Sequence, residues 1–246
     1  VLRLLIELKG EYVIKIDPQI GLLHRASEKL MENKKYLSGL GFFDRFDYLS
    51  MLPNEHCLSL VFESLLNIRV PSRVQYIRII FDEISRIGNH LLCLTTQAID
   101  CGAISPFLLV GCELRELIME YDERLSGARM HAFFFRPGSF SMDLPLNFLS
   151  DLFKFLKIID RQLLWLTDLL SHNKIWKQRL KNIGIVSKKK AFDLSFSGVL
   201  LRSTNFPFDI RKLVYFKYNI LDDNSAKELL FYFNKLWFIF IYLFIY

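Results

Sequence analysis

Residues 21–56 read GLLHRASEKLMENKKYLSGLGFFDRFDYLSMLPNEH, and the reading of this run frames the rest of the chain. Residues 22–35 read as a helix that holds His24, Arg25, Glu28 and Lys29. His24 and Glu28 are four apart and would share a helix face. Such a pair can form the polar wall of a pocket, or simply a solvated pair on the first turn. Residues 42–53 read as irregular, which puts Arg45, Asp47 and Tyr48 in a loop. Asn54 suits the N-cap of a helix reaching about Leu66. Few folds need so many ionisable groups beside so much apolar sequence.

Upstream, residues 1–8 and 12–16 are β-prone runs around Lys9-Gly10-Glu11, a hairpin signal, with Asp17-Pro18 expected to break the second strand. Downstream, Pro71 suits the first turn of a long helix ending at Asp100. Ile77, Ile80, Phe81, Ile84, Ile87, Leu91, Leu92 and Leu94 form its apolar face, with Glu83, Arg86, His90 and Gln97 on the other side. Gly88 within it costs about 1 kcal/mol against Ala, which either a close helix contact or sequence drift would explain. Further helices are predicted over 106–126, 147–172 and 175–182, with a turn at Arg136-Pro137-Gly138-Ser139. Lys188-Lys189-Lys190 reads as a solvated loop or a helix start, and 196–211 is mixed. The fold class is α+β: a small antiparallel β-hairpin element (1–20), a mainly α-helical bundle (21–212) and a divergent apolar tail (213–246).

The 246 residues are 52% hydrophobic and 24% charged, enough for one large domain or two small ones with a sizeable core. A formal charge of +6 is modest for this length and reads as a solvated face rather than a nucleic-acid surface. Abundant Phe, Ile, Lys, Asn and Tyr suggest an AT-rich, organelle-like coding genome. Cys57, Cys93, Cys101 and Cys112 form no CxxC or other metal-ligand spacing and read as buried free thiols in a reducing compartment. Phosphate-loop, dinucleotide, zinc-protease and serine-hydrolase motifs are absent from the sequence.

Taken on residue types, Tyr48 can donate its hydroxyl to a carbonyl and stays protonated at neutral pH, although an Asp-Tyr pair also serves as a plain structural hydrogen bond. His131 in GARMH (127–131) could equally be a histidine packed in a helix junction. Asp100 is an acid at a helix C-terminus with no special claim of its own.

A resemblance sharpens these choices. LHRASEK and FFDRFDYLSMLPNEH are similar to LHRGTEK and YFDRLDYVSMMNNEH of the NADH dehydrogenase subunit 7 family, the large quinone-pocket subunit of respiratory complex I. QAIDCGAISPF resembles HAMDVGALTPF, and GARMH matches SGARMH. Arg136-Pro137-Gly138 matches the RPG of IRPGG, with Ser139 in place of the second Gly. NKIWKQRL with GIV (184–186) is similar to NRIWKQRLVDIGIV, and SGVLLR resembles SGVMLRG; these last two look structural. The match runs from Val1 to about Lys212, with one extra residue near Val110-Gly111-Cys112.

The resemblance implies roles. Tyr48 would bind the quinone headgroup. Asp100 would pair with a His of an HPxxHG loop that can protonate reduced quinone. Arg45 and His131 would lie near the terminal [4Fe-4S] cluster held by a neighbouring subunit, without ligating it, and His24 would stand in the same polar segment. A cation at Arg45 favours the reduced, more negative cluster. The family is related to the large subunit of nickel–iron hydrogenases, whose paired CxxC ligands this chain lacks, so hydrogenase activity is not expected.

The resemblance further implies ubiquinone as substrate, with NAD used by the complex and not bound by this chain, and no metal ligand here. Partners would be the iron–sulfur subunit carrying the terminal cluster and the membrane-arm quinone-channel subunit, with no nucleic acid. The association would be peripheral, on the matrix side of the mitochondrial inner membrane, and the chain would not be active alone. The alternatives are the plastid homologue in an NAD(P)H dehydrogenase-like complex, and a non-catalytic assembly or scaffold fragment of such a complex. Val1 in place of Met suggests an incomplete start, and VLRL directly follows HPxxHG in the family, so the quinone-protonating His falls outside this sequence. After Lys212 the pattern is lost. The apolar stretch 236–246 is shorter than the roughly 20 residues of a membrane helix. A split subunit, a translated intron and an added membrane-facing helix compete to explain it, in that order.

Overall fold

The computed structural model describes residues 2–208; the predicted tail over 213–246 lies outside the described residues. Strands β1 (Arg3–Lys9) and β2 (Tyr12–Gln19) pair antiparallel across a turn at Gly10, as the hairpin signal predicts. The second strand is not broken at Asp17-Pro18: Pro18 pairs opposite Leu4. In a two-stranded ribbon both strands are edges, so a residue without an N–H can be accommodated. The register slips between Glu7 and Leu8, where Ile14 becomes the extra residue of a bulge. Every residue of both strands is exposed.

The helix expected over 22–35 shrinks to α1 (Ser27–Met31). Ala26, at φ 51, is left-handed and bars any continuation upstream. His24 therefore precedes the helix and shares no helix face with Glu28. A 3-10 turn (Tyr36–Gly39) leads into α2 (Leu40–Phe43). Helix α3 (Met51–Leu66) starts four residues earlier than predicted, with Ser50 as N-cap in place of Asn54. Pro53 then falls in the first turn, where a missing N–H costs nothing. Asn54 is no cap; its side-chain amide instead donates to the Phe43 carbonyl at 3.2 Å.

Helix α4 (Ser72–Asp100) and helix α5 (Ile104–Ser126) pack along each other, and α6 (Phe148–Ser171) closes the core. The α6 stripe Phe148, Leu152, Phe155, Leu156, Ile159, Leu163, Leu166 and Leu170 is buried, as its amphipathic period requires. It meets Leu114, Ile118, Tyr121 and Leu125 of α5 and Phe81 and Ile84 of α4 in one cluster. A short hairpin, β3 (Phe135–Arg136) and β4 (Ser139–Phe140), turns at Pro137-Gly138 as expected. Phe134 and Phe135 beside it are fully buried, and Phe134 stacks on Phe140 at 5.6 Å. Helices α7 (Lys174–Leu180), α8 (Lys188–Asp193) and α9 (Gly198–Ser203) follow, so the three lysines form the start of a helix. Asn173 caps α7 by accepting from Ile175 N at 2.9 Å and Trp176 N at 3.2 Å.

Two expectations about burial are corrected. Helix α4 is covered nearly all round between Ile77 and Gly88, so Glu83 is buried rather than on a solvent side, and it pairs with Arg86 at 3.0 Å. The four cysteines are free, yet none is buried: Cys57 and Cys112 are exposed, Cys93 and Cys101 intermediate. Cys57 lies two residues from both Glu55 and Ser59, and Cys112 two from both Val110 and Leu114. Two residues is about half a turn, which rotates each thiol away from the buried face.

Candidate functional site

Helix α3 buries an unusually polar face: Met51, Leu52, Glu55, Leu58, Ser59 and Glu63 all point inward. Glu63 meets Arg78 and His56 meets Asp82, the latter through Nδ1 and Oδ2 at 2.5 Å. As the chain descends α3 from 63 to 56, its partners on α4 ascend from 78 to 82. The two helices are antiparallel in this sense, and the start of α3 is carried toward the half of α4 that ends in Asp100.

The loop before α3 holds Arg45 and Tyr48. Arg45 is exposed and donates from Nη1 to the Gly41 carbonyl at 2.5 Å, which folds it back over α2. Tyr48 is 56% exposed. Asp47 Oδ1 accepts from Leu49 N at 3.2 Å, a local turn bond rather than a contact with Tyr48.

Between these residues and the core lies Asp44, 1% exposed, and it faces Glu55, 0% exposed. Glu55 Oε2 accepts from Phe135 N at 2.7 Å. Burial first, then a hydrogen bond with Asp44 and the Asp44 charge, push the Glu55 carboxyl up to about 9. Burial also raises Asp44, against the pull of Glu55, His131, the Phe133 amide and Arg45.

His131 comes to the same place from the loop after α5. Its backbone is left-handed, φ 54, and its N–H donates to the Met51 thioether at 3.0 Å. Burial and then the Arg45 charge hold its imidazole below the usual value, with Asp44 opposing. Its Nδ1 is buried and, among the described residues, without a hydrogen-bond partner.

The structure thus brings Arg45 and His131 together around Asp44, with Tyr48 in the same loop. Asp100 is exposed at the end of α4, outside this cluster. There Arg179 of α7 reaches over the turn and donates from Nη1 to the Cys101 carbonyl. It occupies the space beside Gly102 where a Cβ would sit. His24 is exposed and also outside the cluster. Sequence reasoning missed Asp44 and Glu55. A signal was present: Asp44 lies four residues from Leu40, and Glu55 three from both Leu52 and Leu58, all buried. Among the described residues no group of three or more His, Cys, Asp or Glu is placed to hold a metal ion. No described helix is long and apolar enough to cross a membrane.

Comparison with known proteins gives these residues a context. Residues 100–225 match the family profile described as respiratory-chain NADH dehydrogenase, 49 Kd subunit. The NADH-ubiquinone oxidoreductase 49 kDa subunit of Reclinomonas americana is 53% identical over 212 residues, covering 86% of this chain and 53% of that protein. That of Prototheca wickerhamii is 53% identical over 214 residues, with the same coverage of 86% and 53%. The mitochondrial 49 kDa subunit of Neurospora crassa is 48% identical over 212 residues, 86% of this chain and 44% of that protein. The chain spans about half the length of the curated relatives it matches.

Proposed function

Because the chain belongs to the 49 kDa subunit family of respiratory-chain NADH dehydrogenase, we propose that it works within NADH:ubiquinone oxidoreductase of the mitochondrion, as part of the wall of the quinone reduction site. The names of its relatives support complex I over a plastid complex or a bare scaffold. Ubiquinone is the substrate, NAD is used elsewhere in the complex, and the other complex I subunits are the partners. Among these, an iron–sulfur subunit stands beside Arg45 and His131, and a membrane-arm subunit completes the quinone channel. The association with the inner membrane is peripheral and on the matrix side, the activity belongs to the proton-translocating complex, and the fold is akin to the hydrogenase large subunit.

One observation carries this reading: Tyr48 and Arg45, both exposed, stand in one loop beside a half-buried His131 whose imidazole is held below its usual value by burial and the Arg45 charge. Such residues fit a place beside an iron–sulfur cluster, since a cation and an imidazole can tune its potential. The cluster's chemistry, when present on its own subunit, is the delivery of single electrons. Tyr48 would hold a quinone carbonyl by donating its phenolic proton. Asp100 would act from the end of α4, where the antiparallel run of α3 brings the Tyr48 loop toward its half of the helix. His24 would serve only as a polar residue on the approach.

In the assembled enzyme, Tyr48→Phe should lower quinone reductase activity about tenfold or more while leaving assembly at the parental level. Unchanged quinone kinetics in that variant would remove Tyr48 as a headgroup ligand. A pure scaffold would keep its activity until assembly failed.

A further inference from the structure

We propose that Asp44 and Glu55 hold one proton between them, and that this acid pair is a positioning device pinning the loop of Arg45 and Tyr48 to the loop of His131. The proposal deepens the quinone-site reading and rests on it only for the activity used as readout.

The geometry leads to a shared proton. Asp44 Oδ1, Asp44 Oδ2 and Glu55 Oε1 are buried and, among the described residues, meet no well-aligned donor, the Phe133 and Phe134 amides lying only near enough to favour the two charges. Two ionised carboxylates facing each other with no cation between them would leave all three oxygens unsatisfied and repelling. One proton supplies the missing donor and removes the repulsion. Glu55 then donates to Asp44 through Oε1, while Oε2 accepts from Phe135 N at 2.7 Å.

Glu55 consequently touches three segments. It belongs to α3, it reaches α2 and the site loop through Asp44, and it receives the Phe135 amide of the loop that carries His131. That last loop needs an anchor. His131 at φ 54 and Phe133 at φ 49 are both left-handed without being glycine. Such residues are strained and persist only where surrounding contacts determine them. The Met51 thioether on His131 N and Glu55 on Phe135 N are two such contacts.

The charged and titratable groups around the pair are few. Arg45 adjoins Asp44 in its own loop, and His131 faces it from the loop after α5. Next to Glu55 on α3, His56 is already engaged by Asp82 of α4. Arg45 favours ionisation of Asp44, which leaves Glu55 as the holder of the proton. As pH rises through the titration of the pair the proton leaves, the hydrogen bond becomes a repulsion, and the two loops part.

The test is the pH profile of quinone reductase activity in the assembled complex for Glu55→Gln, Asp44→Asn and Glu55→Ala. An amide donates to the remaining carboxylate at every pH. The two amide variants should therefore assemble like the parent, and their loss of activity at alkaline pH should move up by about one pH unit or more. Glu55→Ala should lose assembly. Alkaline limbs of Glu55→Gln and Asp44→Asn that superimpose on the parent's would overturn the proposal. Failure of both amide variants to assemble would overturn it equally, because an amide supplies the bond that the proton supplies. This comparison needs only an enzyme that turns over, so it stays readable if Tyr48→Phe leaves the quinone kinetics unchanged.

Discussion

Arg78 and Glu63 meet through two parallel hydrogen bonds, Nη1 to Oε2 at 3.1 Å and Nη2 to Oε1 at 2.6 Å, with side chains only 1% and 6% exposed. Arg78 Nη2 also donates to the Arg136 carbonyl at 2.7 Å, and Gly138 N donates to Glu63 Oε1 at 2.7 Å. The pair thereby fastens α3 and α4 to the turn between β3 and β4. This is the planar fork geometry that a guanidinium offers and an ammonium does not.

Arg78→Met should therefore destabilise the fold by about 3–5 kcal/mol, because Glu63 is left buried and uncompensated. Replacing both, Arg78→Met with Glu63→Leu, should recover part of the loss, since no lone charge remains. Assembly level and thermal inactivation of the complex report both. Equal damage from the single and double variants would show that the bonds to the hairpin carbonyl and amide matter more than the pair.

Two glycines at the α4–α5 contact should behave oppositely. A Cβ on Gly111 would sit 1.8 Å from Thr95 Oγ1 and 3.0 Å from its Cβ, so Gly111→Ala forces the helices apart. Overpacking of this kind costs about 1–3 kcal/mol, and adding Thr95→Ala should return part of it. A Cβ on Gly88 would meet Ile118 Cγ2 at 3.6 Å, which is ordinary contact. Gly88→Ala should be neutral or stabilise by up to about 1 kcal/mol through helix propensity. Thermal inactivation of the two variants side by side decides the matter.

Asp122 of α5 is buried, and burial alone raises its carboxyl to about 7 from 3.8. The folded chain therefore keeps a proton there that the unfolded chain releases near pH 4. Stability falls as pH rises from about 4 to 7, and the full cost is present above that window. Asp122→Asn should match the parent near pH 4 and exceed it at pH 8, by on the order of 4 kcal/mol at most. A gain of the same size at both pH values would assign the effect to packing rather than to the charge.

The helical core was legible because its period is strong. The α6 stripe from Phe148 to Leu170 repeats every three or four residues, and the structure buries those positions. Short elements were less legible. Nothing in the composition of 22–35 announces that Ala26 would turn left-handed, and a proline in a strand reads as a breaker until the strand is known to be an edge. The family resemblance, not residue type alone, named Arg45, Tyr48 and His131. Only the fold discloses that Asp44 and Glu55 lie behind them, because a carboxylate on an apolar stripe looks like a solvated charge until the stripe is covered on both sides. Gly88 drew attention as a helix-interior glycine, whereas the close approach is at Gly111.

The N-terminal ribbon differs in kind from this core. A lone two-stranded hairpin is marginal in water, and here Leu4, Ile6, Ile14 and Ile16 are all open to solvent. One chain thus joins two materials: a helical body with a buried core, and a ribbon whose residues are all open to water. Amides of the ribbon should exchange with solvent first and those of the buried helices last.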